Sequence, residues 1–194
     1  MLLQDLIDTF EKLKTNVYII DRGDKGTIII RFKDNNFFHL VGLHKTNLNL
    51  FIPDYITSKA KIYKYIKKNV TKFNNILLSE IKDNETLQSR MYNFHKALDL
   101  LKGKNVKLYN LHDNIPGSLY KGDYGLLKIY SGTSCLLGLV IAINNNPTLT
   151  CAPQSWMVSK KNNYLIENKR AIYKENMIMI PVEKYDEINN LISV

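Results

Sequence analysis

The sequence predicts an α+β domain, and three observations carry the prediction. A helical pattern opens the chain and gives way to two β-rich runs about a turn. From Ile56 the apolar period becomes helical. After Gly103 the chain returns to strand-like runs whose short turns imply antiparallel neighbours. The expected architecture is therefore an antiparallel β-sheet packed with N-terminal and central helices. Residues 1–194 fit one domain, with a helical segment at about 56–102 between the N-terminal region and the C-terminal sheet.

Between Leu2 and Lys14, apolar residues fall at Leu3, Leu6, Ile7, Phe10 and Leu13, which is helical spacing. Asp5 and Asp8 sit early and Lys12 and Lys14 late, as the helix dipole favours. Val17 to Asp21 and Thr27 to Phe32 read as strands around the turn Arg22 to Gly26. Asp34-Asn35-Asn36 turns the chain into Phe37 to Lys45, which is too mixed for a plain core strand. Leu48 to Ile52 reads as a short strand ended by Pro53. Ile56, Ala60, Tyr63, Ile66, Val70, Phe73 and Leu77 form an apolar helical stripe, with a break available at Asn69-Val70-Thr71. Leu87, Met91, Phe94, Leu98 and Leu101 predict a second long helix, with Asn84 as its N-cap and Gly103 as its C-cap glycine. Val106 to Leu111, Tyr124 to Tyr130, Cys135 to Ile143 and Thr148 to Met157 are the later strands. Asn163 to Glu175 is ambiguous, Met177 to Val182 closes the sheet, and Asp186 to Ile192 reads as a terminal helix.

Composition narrows the function classes. Lysine and arginine number 27 against 18 aspartates and glutamates, a net charge of +9 that favours a polyanionic partner. Abundant Asn, Lys and Ile also follow from an AT-rich coding sequence, so the charge does not decide alone. Cys135 and Cys151 form no CxxC, and buried free thiols are expected. The acidic, weakly apolar N-terminus lacks the features of a signal peptide, and no apolar run reaches the ~20 residues of a membrane span. A cytosolic protein, with no membrane partner, is expected. No Walker loop, GxSxG, HExxH or GxGxxG occurs.

Two stretches carry chemistry-bearing residues. His39 and His44 lie five positions apart, with Lys45 beside the second. On a strand they face opposite ways, so a joint role requires a turn at Gly42. Histidine supplies a base or acid near neutral pH, and lysine can neutralise a phosphate. The plainer alternative makes His39 a half-buried strand residue and His44 a surface residue. No third residue at ligand spacing accompanies the pair, so neither a metal site nor a cofactor is expected. The second stretch is Pro153-Gln154-Ser155-Trp156-Met157, followed by Lys160, Lys161 and Tyr164. Ser155 and Tyr164 could hold a phosphate, while Trp156 could stack on a base or pack in the core. Lys61, Lys64, Lys68 and Lys72 form a basic helical stripe that either tracks a phosphate backbone or is a solvated face. His95 is expected to pack structurally, and His112 precedes a loop.

Phe38-His39-Leu40-Val41-Gly42-Leu43 resembles the aromatic–His–Leu–x–Gly–aliphatic motif of phage and mobile-element domains grouped with the Barnase, EndoU, colicin and RelE ribonucleases, the BECR fold. Pro153, Ser155, Trp156 and Tyr164 are similar to a later element of that group, and Asp123-Tyr124 opens a strand in a like way. The resemblance runs in order through most of the chain. It implies a metal-independent, toxin-type endoribonuclease domain acting on RNA in a host cytosol. In that picture His39 acts as base or acid, Lys45 or Lys128 is the cation facing the phosphorane, and Ser155 and Tyr164 hold phosphate or move a proton. His39, Ser155 and Tyr164 are then expected in one cleft. RNA is the expected partner, with a host protein or cognate immunity protein also possible. The alternative is a catalytically inactive binding protein on the same fold, such as a phage-encoded, anti-CRISPR-like inhibitor of host defence or an RNA-binding module.

Overall fold

The computed structural model describes residues 2–103, 105–111, 122–159, 173–174 and 177–192. The chain opens with α1 (Leu2–Lys14), β1 (Asn16–Asp21) and β2 (Thr27–Arg31), then a short helix α2 (Phe37–Leu40). The central helices are α3 (Lys59–Lys68), α4 (Val70–Ile81), α5 (Glu85–Tyr92) and α6 (Lys96–Leu100). There follow β3 (Lys107–Asn110), β4 (Tyr124–Tyr130), β5 (Thr133–Asn145) and β6 (Thr148–Ser159). The remainder comprises β7 (Tyr173–Lys174), β8 (Met177–Pro181) and α7 (Val182–Ile192). This is an α+β fold.

One sheet runs β7-β3-β4-β5-β6-β2-β1-β8. Its pairings are antiparallel except where β2 meets β6 in parallel, Ile28 opposite Leu149 and Ile30 opposite Cys151. That single junction welds the N-terminal hairpin to the C-terminal meander, so the sheet is mixed rather than wholly antiparallel. The Arg22 side chain ties the same end together, donating to the Tyr124 hydroxyl at 3.1 Å and the Pro147 carbonyl at 3.4 Å.

The predicted apolar face of α1 is buried as spaced, with Leu3, Phe10 and Leu13 fully inside. The buried Asn74 side chain of α4 accepts from the Leu3 N–H at 3.0 Å, satisfying a helix-start donor that has no partner within its own helix. Phe10, Phe37 and Tyr63 meet as a three-ring cluster with centroids 4.8–5.3 Å apart, joining α1, α2 and α3. Burial of one such ring stabilises the fold by roughly 1.5–3 kcal/mol. Acids of α1 and of the turn after β2 also grip α3: Glu11 meets Lys67 at 3.2 Å, and Asp34 meets Lys64 at 3.9 Å.

The stretch Phe37 to Lys45, too mixed for a plain core strand, is a helical turn followed by a 3-10 turn, Leu43–Lys45, with the chain turning at Gly42. Two sequence expectations give way here. Asn47–Phe51 is likewise a 3-10 turn, where a strand was expected. The second long helix divides into α5 and α6 around Phe94, which turns inward to pack fully buried on the sheet. The first helical stripe divides at Asn69 into α3 and α4, at the run of poor helix formers. Asn84 does cap α5, accepting from Leu87 N at 3.0 Å, and Gly103 takes φ +79° after α6. Cys135 and Cys151 are free and buried; burial raises their thiols to about 11 and about 12.

Candidate active site

Every residue from Phe37 to Leu43 is buried except His39. The apolar members of the motif anchor the turn on α1, α3 and β6, which leaves the imidazole as its one side chain directed outward. Gly42 then reverses the chain at φ +85°, a left-handed conformation that disfavours any side chain. A Cβ there would also come within 2.6 Å of the Leu87 side chain and 3.2 Å of Arg90 Cδ. The motif glycine is therefore needed twice, for the turn and for the close approach of α5.

That approach delivers Arg90. Its side chain is buried, and its guanidinium donates to the carbonyls of Leu40, at 2.9 Å, and His39. These are carbonyls at the end of α2, which a cation satisfies well. Arg90 thus fixes the backbone beneath the histidine.

The turn at Gly42 brings His44 back beside His39, with ring centroids 4.7 Å apart. Lys59, the first residue of α3, places its Nζ 2.6 Å from His39 Nε2. An ammonium can only donate, so His39 accepts through Nε2 and carries its own proton on Nδ1. Both imidazoles are held toward the neutral form. Desolvation lowers the pKa of His39, with the charges of Lys59 and Arg90 adding to it. His44 is pushed down to about 4 by desolvation, then by His39, Arg90 and Lys45, against a hydrogen bond with the Phe38 backbone. Neutral imidazoles beside ammonium groups make a pair able to take a proton and a nearby charge able to meet a phosphate.

Comparison with known families matches residues 2–193 to the phage-Barnase-EndoU-ColicinE5/D-RelE like nuclease4 family, PBECR4. The chain belongs to this family. It is a nuclease domain on a BECR-type α+β fold. No curated protein and no solved structure gives a match.

Within this PBECR4 domain the predicted site residues separate. Lys45 stands exposed at the end of the His44 turn. Ser155 does not join His39. It pairs with Gly138, which pairs with Gly125, and a Cβ on Gly125 would point at Leu111 and Leu136. That is the sheet face of Tyr109, Leu127 and Met157, whereas α2 packs with Trp156 and Leu137 on the other. The register shift between Gly138 and Leu139, which leaves Gln154 without a partner in β6, sets this phase. The expected His39–Ser155 cleft is thus not formed. Tyr164 lies outside the described residues, as do Lys160, Lys161 and His112.

Trp156 is fully buried with its ring edge-on to Phe94 at 6.2 Å, so it packs the core and cannot stack a base. Lys128 donates to Asp99 of α6 at 2.7 Å with its side chain only 13% exposed, so its charge is already met. Lys61, Lys64, Lys68 and Lys72 are all exposed, but the break at Asn69 puts Lys72 on a different helix from the other three. His95 is exposed rather than packed, its Nδ1 3.0 Å from the Tyr92 carbonyl. It edges a cavity of about 420 Å³ between α1, α4 and α5, floored by Leu6 and Met91.

Lys59 and Arg90 are the site residues that sequence reasoning missed. They lie twenty and fifty-one positions from His39, and neither stands in a motif of its own. An arginine on an otherwise apolar helix face, three residues after Leu87, is the only signal either one left.

Proposed function

We propose that this nuclease cleaves RNA without a metal ion, using the His39–His44–Lys59 cluster, and acts as a toxin-type endoribonuclease in a host cytosol. One observation carries the reading: two imidazoles lie with ring centroids 4.7 Å apart, tilted 48° to each other, and one of them receives a hydrogen bond from an ammonium group. Cleavage by internal transfer needs a base for the 2′-hydroxyl, an acid for the departing 5′-oxygen, and positive charge on the phosphorane. Lys59 already occupies His39 Nε2, so His44 is assigned the hydroxyl proton. The 2′-oxygen then bonds to phosphorus and the P–O5′ bond breaks. The Lys59–His39 pair returns a proton to O5′, His39 giving up its Nδ1 proton as Lys59 passes one to Nε2. Lys45 and the imidazolium formed on His44 oppose the charge on phosphorus.

The test is purified protein with mixed cellular RNA, with and without EDTA. Cleavage should persist in EDTA and leave a 2′,3′-cyclic phosphate. A 2′-deoxy residue at the scissile position should block it. Cleavage abolished by EDTA overturns the metal-free reading, and no cleavage in either condition returns the domain to a binding role on the same fold.

A further inference from the structure

The chain between His44 and Lys59 leaves the histidine site and returns to it. Its first end carries the His44 ring, 4.7 Å from that of His39, and its second end carries the Lys59 ammonium, 2.6 Å from the same ring. The arc between them is pinned. Leu48 and Ile52 plug into the core, and the Thr46 hydroxyl donates to the Leu43 carbonyl at 2.7 Å. The Asn47 amide donates to both oxygens of Glu80 on α4, at 3.2 and 3.1 Å. Yet this fixed arc turns three large apolar side chains outward: Leu50 is 80% exposed, Phe51 43% and Tyr55 79%. Single exposed apolar residues need no explanation, but three within six positions on an anchored segment do.

We infer that Phe51 and Tyr55 form a stacking platform for unpaired bases of single-stranded RNA whose phosphate backbone enters the histidine site. The inference rests on the ribonuclease reading above and names its substrate class. Aromatic faces stack any base, and a cationic groove beside them holds the backbone. Here Lys45 and Lys59 stand exposed at the two ends of the arc, and Asp54 is the one acid along it. A chain of net charge +9 matches a polyanion better than an apolar protein surface would. Duplex RNA keeps its base faces stacked inside, so exposed rings on this arc can stack only on splayed bases.

The experiment is anisotropy titration of the whole wild-type chain with a 2′-O-methyl RNA single strand, which cannot be cut by internal transfer, and with the matching duplex. Phe51→Ala and Tyr55→Ala should each weaken single-strand binding roughly five- to a hundredfold. Duplex binding and the salt slope should stay as in wild type, and Tyr55→Ala should also keep the melting temperature, because Tyr55 is 79% exposed. Unchanged single-strand affinity, or an equal loss on single strand and duplex, overturns the platform. So does a wild type that binds no RNA but changes oligomeric state on Phe51→Ala, which would assign the arc to contact with a second copy. The two readings fail separately. Ring-dependent binding without cleavage of natural RNA keeps the platform and removes the ribonuclease; cleavage indifferent to both rings does the reverse.

Discussion

His39 sits where a protein must hold a polar ring against an apolar core without losing it inside, and Arg90 and Gly42 solve that problem together. Gly42→Ala forces a side chain into a left-handed backbone and against Leu87, so it should lower stability by about 1–3 kcal/mol in a urea melt. The paired imidazoles also give stability a pH dependence with a definite sign. A histidine whose folded pKa lies below its unfolded value of 6.5 binds fewer protons when folded. Stability is then fully present above 6.5 and is lost as pH falls toward the His44 value of about 4. Carboxylates titrate in part of the same window, so the measurement is the difference between wild type and His44→Gln. The variant should lose less stability between those two pH values, and identical curves would show that His44 is not held neutral. The motif glycine and both histidines were legible in the sequence. Arg90 was not, because its role is to satisfy two carbonyls fifty residues away, and no local pattern encodes that.

Among the elements, length decided what could be read. α1 runs through more than three turns, and its apolar spacing predicted both its ends and its buried face. α2 has four residues, too few for a 3.6-residue period to show, and its aromatic content resembles that of a strand. The break at Asn69 was legible because poor helix formers meet there. The break at Phe94 likewise falls among poor helix formers, Tyr92-Asn93-Phe94-His95, a run the apolar periodicity overrode, with Phe94 packed edge-on to Trp156. The lysine stripe is therefore spread over two helices, with Lys64 facing Asp34. Replacing Lys61, Lys64, Lys68 and Lys72 with Gln tests whether it still tracks RNA. Each lysine–phosphate pairing removed should flatten the log–log salt dependence of single-strand binding by about 0.7. An unchanged slope makes the stripe a solvated face.

At the scale of the molecule, the α+β class was legible because turn length reports on neighbouring strands. The parallel β2–β6 junction was not, since no turn connects those two strands. The same limit hid the placement of Ser155. One unpaired residue at Gln154 shifts the phase of β6, and a one-residue shift sends every later side chain to the other face. It also turned the motif tryptophan inward. Trp156→Ala should cost about 3–5 kcal/mol, and the fluorescence of this single tryptophan should stay shielded from aqueous quenchers and unmoved by RNA. The central claim is that the chemistry belongs to the helical side of the sheet. Its most direct test is the single-turnover cleavage rate of one RNA oligonucleotide by wild type, His39→Ala and Ser155→Ala, each checked for folding. His39→Ala should lose about two to four orders of magnitude, the usual worth of a general acid or base, and Ser155→Ala should cut at nearly the wild-type rate. Cleavage that survives His39→Ala and fails in Ser155→Ala would contradict the account and move the active site to the opposite face.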